Sequence, residues 1–312
     1  MKAVRFENYG GAEVLKFEDA PKPNIEKDEV LIKVTATAFN PVDANIRSGK
    51  FSKVAPLQFP FIPNSDVSGI VEETGSEVKE FRKGDKVFGF LDMFKNGAAA
   101  EYVAAKASSI ALAPNKLSLT LAAGVPLVSL TAWQGLFDHG KLKAGNKILI
   151  TAAAGSVGNL AVQYAKNIGA YVIATASGKS KDFLTKLGVD EFIDYQKTEV
   201  KDYLKDKVDF IFNAAPLLPE EINLLLGFVK PGGYFISILT PVDADIAKQK
   251  NVSALRMMVA NNGEELKQIA NLIDKGKLTT FVTDTVPLKQ LAEVHKNYEE
   301  HKIRRKIIVT VE

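Results

Sequence analysis

From Ile148 to Gln163 the chain reads Ile-Leu-Ile-Thr-Ala-Ala-Ala-Gly-Ser-Val-Gly-Asn-Leu-Ala-Val-Gln. An apolar strand ends, a turn of small residues follows, and a helix begins. That order suits the pyrophosphate of a dinucleotide. Small side chains let the backbone approach it, and the N–H groups of a first helical turn point at its charge. The usual G-x-G-x-x-G spacing becomes Ala153-x-Gly155-x-x-Gly158. With its first glycine missing, the motif alone leaves a plain strand-to-helix turn open.

The next apolar run, Val172-Ile173-Ala174-Thr175, leads into Ala176-Ser177-Gly178-Lys179-Ser180-Lys181. A site for NAD places Asp or Glu there for the ribose 2′-hydroxyl, whereas the 2′-phosphate of NADP needs cations and hydroxyls. Two lysines and two serines, with no acid, point to NADPH. The alternative is a solvated helix start capped by Ser177 or Ser180.

Other chemistries are excluded by composition. No cysteine occurs, so thiolate nucleophiles, disulfides and thiolate metal sites are absent. The three histidines, His139, His295 and His301, are scattered. Forty basic residues against 37 acidic ones, with no basic block, make nucleic acid a poor partner. The uncharged stretch 117–137 is broken by Ser, Thr, Gly, Pro and Gln and reads as a buried packing segment, not a membrane span. The start, Met1-Lys2-Ala3-Val4-Arg5-Phe6, has strand-like alternation and no signal-peptide core, so a cytoplasmic address is expected.

The elements that position these residues change character along the chain. Strand-like runs at 30–36 and 66–73, with Gly75, Gly84-Asp85 and Gly89 as punctuation, predict a small barrel, with a further strand pair around Asn96-Gly97. After Leu119, helix-length segments alternate with apolar runs at 147–151, 171–175, 192–193, 209–212 and 234–239. That alternation predicts a doubly wound parallel sheet, an α/β architecture. Helices over 264–274 and 289–300, a strand-like Phe281-Val282-Thr283 and a last strand over 306–311 complete the chain. A discontinuous barrel domain, 1–118 with 260–312, would then hold an inserted nucleotide-binding domain, 119–259.

Several motifs in order resemble the zinc-free quinone oxidoreductase branch of the medium-chain dehydrogenases/reductases, over essentially the whole chain. They are Asn40-Pro41-Val42-Asp43-x-x-x-Arg47-Ser48-Gly49, Pro63-Asn64-Ser65-Asp66-x-x-Gly69-x-Val71, Lys83-Gly84-Asp85-x-Val87, Leu130-Thr131-Ala132-Trp133-Gln134-Gly135-Leu136 and the nucleotide turn, where Ser156 replaces a usual glycine. The plant-type alkenal and enone reductases are similarly close. The resemblance implies a GroES-like barrel plus a Rossmann domain, and reduction of quinones or α,β-unsaturated carbonyls by NADPH without metal. A dedicated alkenal or enone reductase, or a cofactor-binding protein with little turnover, are the alternatives. Where zinc-dependent relatives carry a cysteine and a histidine, this chain has Asn40 and Ser65.

By the same resemblance, Ser177, Lys181 and Tyr195 hold the 2′-phosphate. The backbone of Ala154, Gly155, Ser156, Val157 and Gly158 holds the pyrophosphate, and Leu239 also lines the cofactor. Asn40 and Thr131 flank the nicotinamide in a cleft between the domains. Asn45 or a cofactor hydroxyl is a candidate hydrogen-bond donor to the substrate oxygen, with water as proton source. Asn45 and Phe51 stand where bacterial quinone reductases often carry tyrosines. A homodimer formed through the nucleotide domain is expected, with the 234–239 run as a sheet edge.

Plainer roles stand beside these. Asp43 and Arg47, four apart on a helix, suit an ion pair better than catalysis. Trp133, the only tryptophan, suits core or interface packing, and Arg304-Arg305-Lys306 suits a solvated turn.

Overall fold

The computed structural model describes residues 1–281, 284–303 and 305–311. The chain forms two compact units, Met1–Leu127 with Asn261–Glu312, and Val128–Ala260.

The first unit opens with an antiparallel pair, β1 (Lys2–Arg5) and β2 (Lys16–Asp19). β3 (Glu29–Phe39), β4 (Asp66–Thr74), β5 (Lys86–Phe90), β6 (Tyr102–Lys106) and β7 (Ile110–Leu112) follow, with helix α1 (Pro41–Arg47) after β3. Alternation of apolar residues along β3 buries Val30, Ile32 and Val34 against Val67, Val71, Val87 and Val103. Asn96-Gly97 does not sit in a strand pair as expected. β5 pairs with β4 and β7, and β6 pairs with β3. The Asn96-Gly97 turn instead docks on 62–64, where a Cβ on Gly97 would lie 2.1 Å from the Asn64 carbonyl oxygen.

The chain then enters α2 (Leu119–Ala122) and α3 (Pro126–Trp133). Residues 119–127, which the sequence assigns to the nucleotide-binding domain, fall in the first unit. The reason is local packing. α2 lies on β3, β4 and β5, and the Ser68 hydroxyl donates to the Leu119 carbonyl at 2.5 Å.

The second unit holds β8 (Lys147–Ile150), α4 (Ser156–Asn167), β9 (Tyr171–Ala176), α5 (Lys181–Lys186), β10 (Glu191–Asp194), α6 (Val200–Tyr203), β11 (Val208–Asn213), α7 (Pro219–Leu226), β12 (Val229–Ser237), α8 (Ala244–Gln249) and β13 (Ser253–Arg256). The six strands are all parallel, in the order β10-β9-β8-β11-β12-β13. Strand order reverses between β8 and β11, the place where such sheets bind ligands beyond their carboxyl ends. Leu149, Ile173, Ile211 and Phe235 form the sheet's part of a core that Ile222, Leu225 and Leu226 of α7 cover. β13 is the unforeseen sixth strand, so the 234–239 run lies in the sheet interior and supplies no edge.

The chain returns to the first unit through α9 (Gly263–Asp274), β14 (Asp284–Pro287), α10 (Leu291–Glu299) and β15 (Ile307–Thr310). β15 pairs antiparallel with β3 and extends the seven-stranded sheet, as a last strand completing the barrel must. In the expected strand Phe281-Val282-Thr283, Val282 and Thr283 lie outside the described residues, as does Arg304.

Candidate functional site

In the second unit, β8 ends at Ile150 and the chain turns through Thr151–Gly155 into α4. Ala152 takes a left-handed φ of 47°, which reverses the chain sharply enough to bring α4 against the turn. A Cβ on Gly158 would sit 2.3 Å from the Ala152 carbonyl oxygen, so only glycine fits there. Gly155 has an ordinary φ of −72°, and a Cβ on it would meet its nearest atom at 3.2 Å. Of the two glycines in the degenerate motif, Gly158 is therefore the sterically required one.

Ser156, Val157 and Gly158 open α4, where N–H groups have no carbonyl one turn back to bond. No acid stands in that first turn. Asn159 is buried and donates from Nδ2 to the Gly155 carbonyl at 2.7 Å, pinning the turn from behind. The Gly155 N–H is spent on the Ala152 carbonyl at 2.9 Å, so the donors open to a diphosphate are those of the first turn, Ser156 to Gly158.

The next strand, β9, delivers Ser177, and Tyr195 follows β10 beside it. The Tyr195 N–H donates to the Ala176 carbonyl at 3.3 Å, and its ring is 60% exposed. Ser177 precedes a short 3₁₀ turn, Gly178–Ser180, and neither Ser177 nor Ser180 makes a side-chain cap bond. The capping alternative is thus not realised. Asp194 pairs with Lys197 at 3.8 Å, while Lys179 and Lys181 are exposed and without an ion pair among the described residues. Ser177, Lys181 and Tyr195 therefore gather at one corner of the sheet, with hydroxyls and cations unspent. Leu239, just beyond β12, is 46% exposed. These groups fit NADPH: close backbone at Gly158, the first-turn N–H groups of α4, and two lysines without an ion pair among the described residues after β9.

Thr131 is buried in α3. Trp133 packs edge-on against Phe137 at 4.9 Å and Tyr164 at 5.5 Å, which is the packing role expected of it.

In the first unit, Asn40 caps α1, and its carboxamide is committed at both ends. Nδ2 donates to Asp66 Oδ2 at 2.9 Å, and Oδ1 accepts from Lys306 Nζ at 2.5 Å. Lys306 also donates to Asp66 Oδ2 at 2.8 Å, and the Leu127 N–H reaches Asp66 Oδ1 at 2.7 Å. Lys306 is 6% exposed, so the expected solvated turn is wrong at this residue, although Arg305 is exposed. The reason is that β15 starts next to β3, which carries the Lys306 side chain inward to the buried Asp66 carboxylate. An ammonium thus supplies the positive charge beside Asn40. Among the described residues, no group of three or more His, Cys, Asp or Glu is arranged to hold a metal.

Asp43 accepts the Asn40 backbone N–H at 2.7 Å. Burial pushes its carboxyl up to about 7, with Asp66 adding repulsion and the Asn40 bonds and Lys306 opposing. The expected Asp43–Arg47 ion pair does not form. Arg47 bonds Glu299 of α10 instead, because α10 covers the face of α1 from which Arg47 projects. Asn45 keeps more freedom. Its Oδ1 accepts from Lys50 Nζ at 2.8 Å, and its Nδ2 has no acceptor among the described residues.

Sequence reasoning passed over Lys306, Asp66, Thr151 and Asn213. The only signal for the last two was a polar residue closing an otherwise apolar run, Ile148–Ile150 and Phe210–Phe212.

The family model for the alcohol dehydrogenase GroES-like domain matches residues 26–115, and that of a zinc-binding dehydrogenase matches residues 187–309. The NADPH-dependent alkenal/one oxidoreductase, chloroplastic, of Arabidopsis thaliana is 35% identical, across 99% of this chain and 79% of that protein. The quinone-oxidoreductase QR1, chloroplastic, of Triphysaria versicolor is 34% identical, across 99% and 98%. The solved quinone oxidoreductase of Coxiella burnetii superposes with a TM-score of 0.90 at 33% identity, covering 100% of this chain and 99% of that one. The cytoplasmic address expected above is overturned by these relatives, whose names place them in chloroplasts. Lack of cysteine and of a signal-peptide core carried too little information to set a compartment. No helix among the described residues is long and apolar enough to cross a membrane.

Proposed function

This chain belongs to the medium-chain dehydrogenase/reductase superfamily, and on that premise we propose that it is a zinc-independent, NADPH-dependent reductase of quinones or α,β-unsaturated carbonyls. The observation that carries the reading is the pairing, after adjacent strands, of two turns whose chemistry suits anions. The open first turn of α4 follows β8, and the unpaired Ser177–Lys181 turn follows β9.

NADPH, when bound, supplies a hydride. The chain's own residues bind and orient. The backbone of Ala154–Gly158 takes the pyrophosphate, Ser177, Lys181 and Tyr195 take the 2′-phosphate, and Leu239 offers an apolar surface. Thr131 is assigned to the nicotinamide. Quinones and enones accept hydride readily because the developing charge spreads onto oxygen, and a fixed N–H donor at that oxygen lowers the barrier. Asn45 is the better candidate for that donor, since its Nδ2 is uncommitted. Asn40 is held by Lys306 and Asp66 and orients the start of α1. Water completes the product with a proton.

The test is NADPH and NADH titration by cofactor fluorescence, with Lys181→Ala and Ser177→Ala alongside, followed by an acceptor panel with product analysis. Tight NADPH binding that both variants weaken supports the reading. Equal affinity for the two cofactors, or no NADPH oxidation with any quinone or enone, overturns it. Saturated C–C products would favour the dedicated enone reductase suggested by the Arabidopsis relative.

We also infer a homodimer. Its support is the outer edge of β13, which pairs with β12 alone, and Leu255 on it, which is 37% exposed. Light scattering on Leu255→Lys checks this: a wild-type monomer removes the inference.

A further inference from the structure

Thr151, Asn213 and Ser237 close the carboxyl ends of β8, β11 and β12, neighbouring strands that straddle the reversal of strand order. All three are buried, Asn213 and Ser237 completely. The Thr151 hydroxyl donates to Asn213 Oδ1 at 2.6 Å and accepts from the N–H groups of Ala214 and Ala215 at 3.0 and 3.2 Å. Asn213 Nδ2 donates to the Ala215 carbonyl at 3.0 Å and to Ser237 Oγ at 3.2 Å. The threonine hydroxyl has spent its one proton and both lone pairs, and the amide has spent both hydrogens.

Packing alone does not ask for such a circuit. Apolar residues of the same shape at these strand ends would cost the fold little, since a buried polar pair gains only modestly over its hydrated separate groups. What apolar residues could not do is fix the backbone beyond the strands. The circuit sets the direction in which 214–215 leave β11. The Ile238 N–H, bonded to the Asn213 carbonyl at 3.0 Å, and the Thr240 hydroxyl, bonded to the Leu217 carbonyl at 2.7 Å, tie the loop after β12 to the same frame. Three crossover loops are thereby tied to one another through Thr151, Asn213, Ser237 and Thr240 and the Ile238 N–H.

The position of that frame matters. The pyrophosphate cradle follows β8, and the 2′-phosphate corner follows β9, on one side of it. A dinucleotide laid along the carboxyl edge would then carry its nicotinamide half toward the ends of β11 and β12. Residues 214–215 and 238–239, which leave those strand ends, would then lie beneath it.

We propose that Thr151 and Asn213 are positioning residues for hydride transfer, holding the floor of the nicotinamide at the height the reacting carbon needs. The proposal rests on the NADPH reading above. Most of the binding affinity is expected from the phosphates, and the Thr151 and Asn213 side chains face away from the phosphate turn toward 214–215 and Ser237. Transfer, however, depends steeply on placement, and an error of about 1 Å can cost about 100-fold in rate.

The experiment compares wild type, Thr151→Val, Thr151→Ser and Asn213→Leu. NADPH Kd by fluorescence, single-turnover oxidation with a quinone, the isotope effect from NADPH deuterated at the transferred position, and Tm are read for each. Thr151→Val should lower the single-turnover rate by about 10- to 100-fold and expose a larger isotope effect, with Kd moved less than about threefold. Thr151→Ser, which keeps the hydroxyl, should restore most of the rate. An unchanged rate in Thr151→Val with an active wild type overturns the proposal alone. So does a parallel loss of NADPH affinity, rate and Tm that serine does not rescue, which would mark a purely structural network. A wild type that binds no NADPH overturns the functional reading, and this proposal with it.

Discussion

Lys306 and Asp66, 240 residues apart in sequence, meet as a buried ion pair at 2.8 Å, and Asn40 bonds to both. The pair joins the start of β15 to the start of β4, so it also holds Asn40 at the head of α1.

Removing one partner of this pair should cost more than removing both. Lys306→Met leaves the Asp66 carboxylate buried and uncompensated, and a loss of about 3–5 kcal/mol in denaturant unfolding is expected. The double variant Lys306→Met/Asp66→Asn should recover much of that loss. Strictly additive losses would show that the two charges do not stabilise one another.

Arg47 and Glu299 give a similar asymmetry on another face of α1. Arg47 is 1% exposed, and its Nε and Nη1 find no partner among the described residues. Glu299→Ala strands the guanidinium, whereas Arg47→Met removes the charge and keeps most of the volume. Urea unfolding should find Glu299→Ala the more damaging, by about 1–3 kcal/mol. The reverse order would mean that Arg47 gains its stability from packing of its stem.

Two buried groups should set the pH dependence of stability, with opposite signs. Asp43 has its folded pKa raised from 3.8 to about 7, so its contribution is full at low pH and is lost as pH rises across that window. His295, buried beside Arg47, is pushed down from 6.5 to about 3, so its contribution is full above 6.5 and is lost as pH falls toward 3. The slopes oppose each other between about 4 and 6.5. Asp43→Asn should therefore steepen the loss of Tm on acidification below 6.5 and remove any fall between 6.5 and 7. A Tm profile that superimposes on wild type would show that Asp43 does not titrate in this range.

Gly158 and Gly155 should separate in a cofactor titration. Gly158→Ala places a methyl 2.3 Å from the Ala152 carbonyl oxygen, and the turn must move. NADPH affinity should fall by about tenfold or more, while Gly155→Ala, with its ordinary φ, should lose only a fewfold. Equal effects would mean that the ligand, and not the turn, meets the added methyl.

Much of the nucleotide-binding half was legible in the sequence. The apolar runs at 147–150, 171–175 and 209–212 each became a parallel strand, because strand periodicity and turn residues act over a few positions. Ser253-Ala254-Leu255-Arg256 did not announce itself. It has no β-branched residue, and only pairing with β12 makes it a strand. The Ser177–Lys181 turn was readable for the same local reason that hid the Thr151–Asn213 circuit. A run of cations and hydroxyls stands out, whereas one polar residue at the end of an apolar strand does not.

The sequence by itself determined most of the strands, the cofactor's phosphate preference and the family, since each rests on residue types at short spacing. The tertiary structure alone decided where the charges went. Lys306 left a basic surface run for a buried carboxylate, and Arg47 passed over Asp43, four residues away, for Glu299 on α10. The physical reason is that an ion pair depends on which strand ends and helix faces are brought together and dried. That is set by the packing of β15 on β3 and of α10 beside α1, and no local pattern records it.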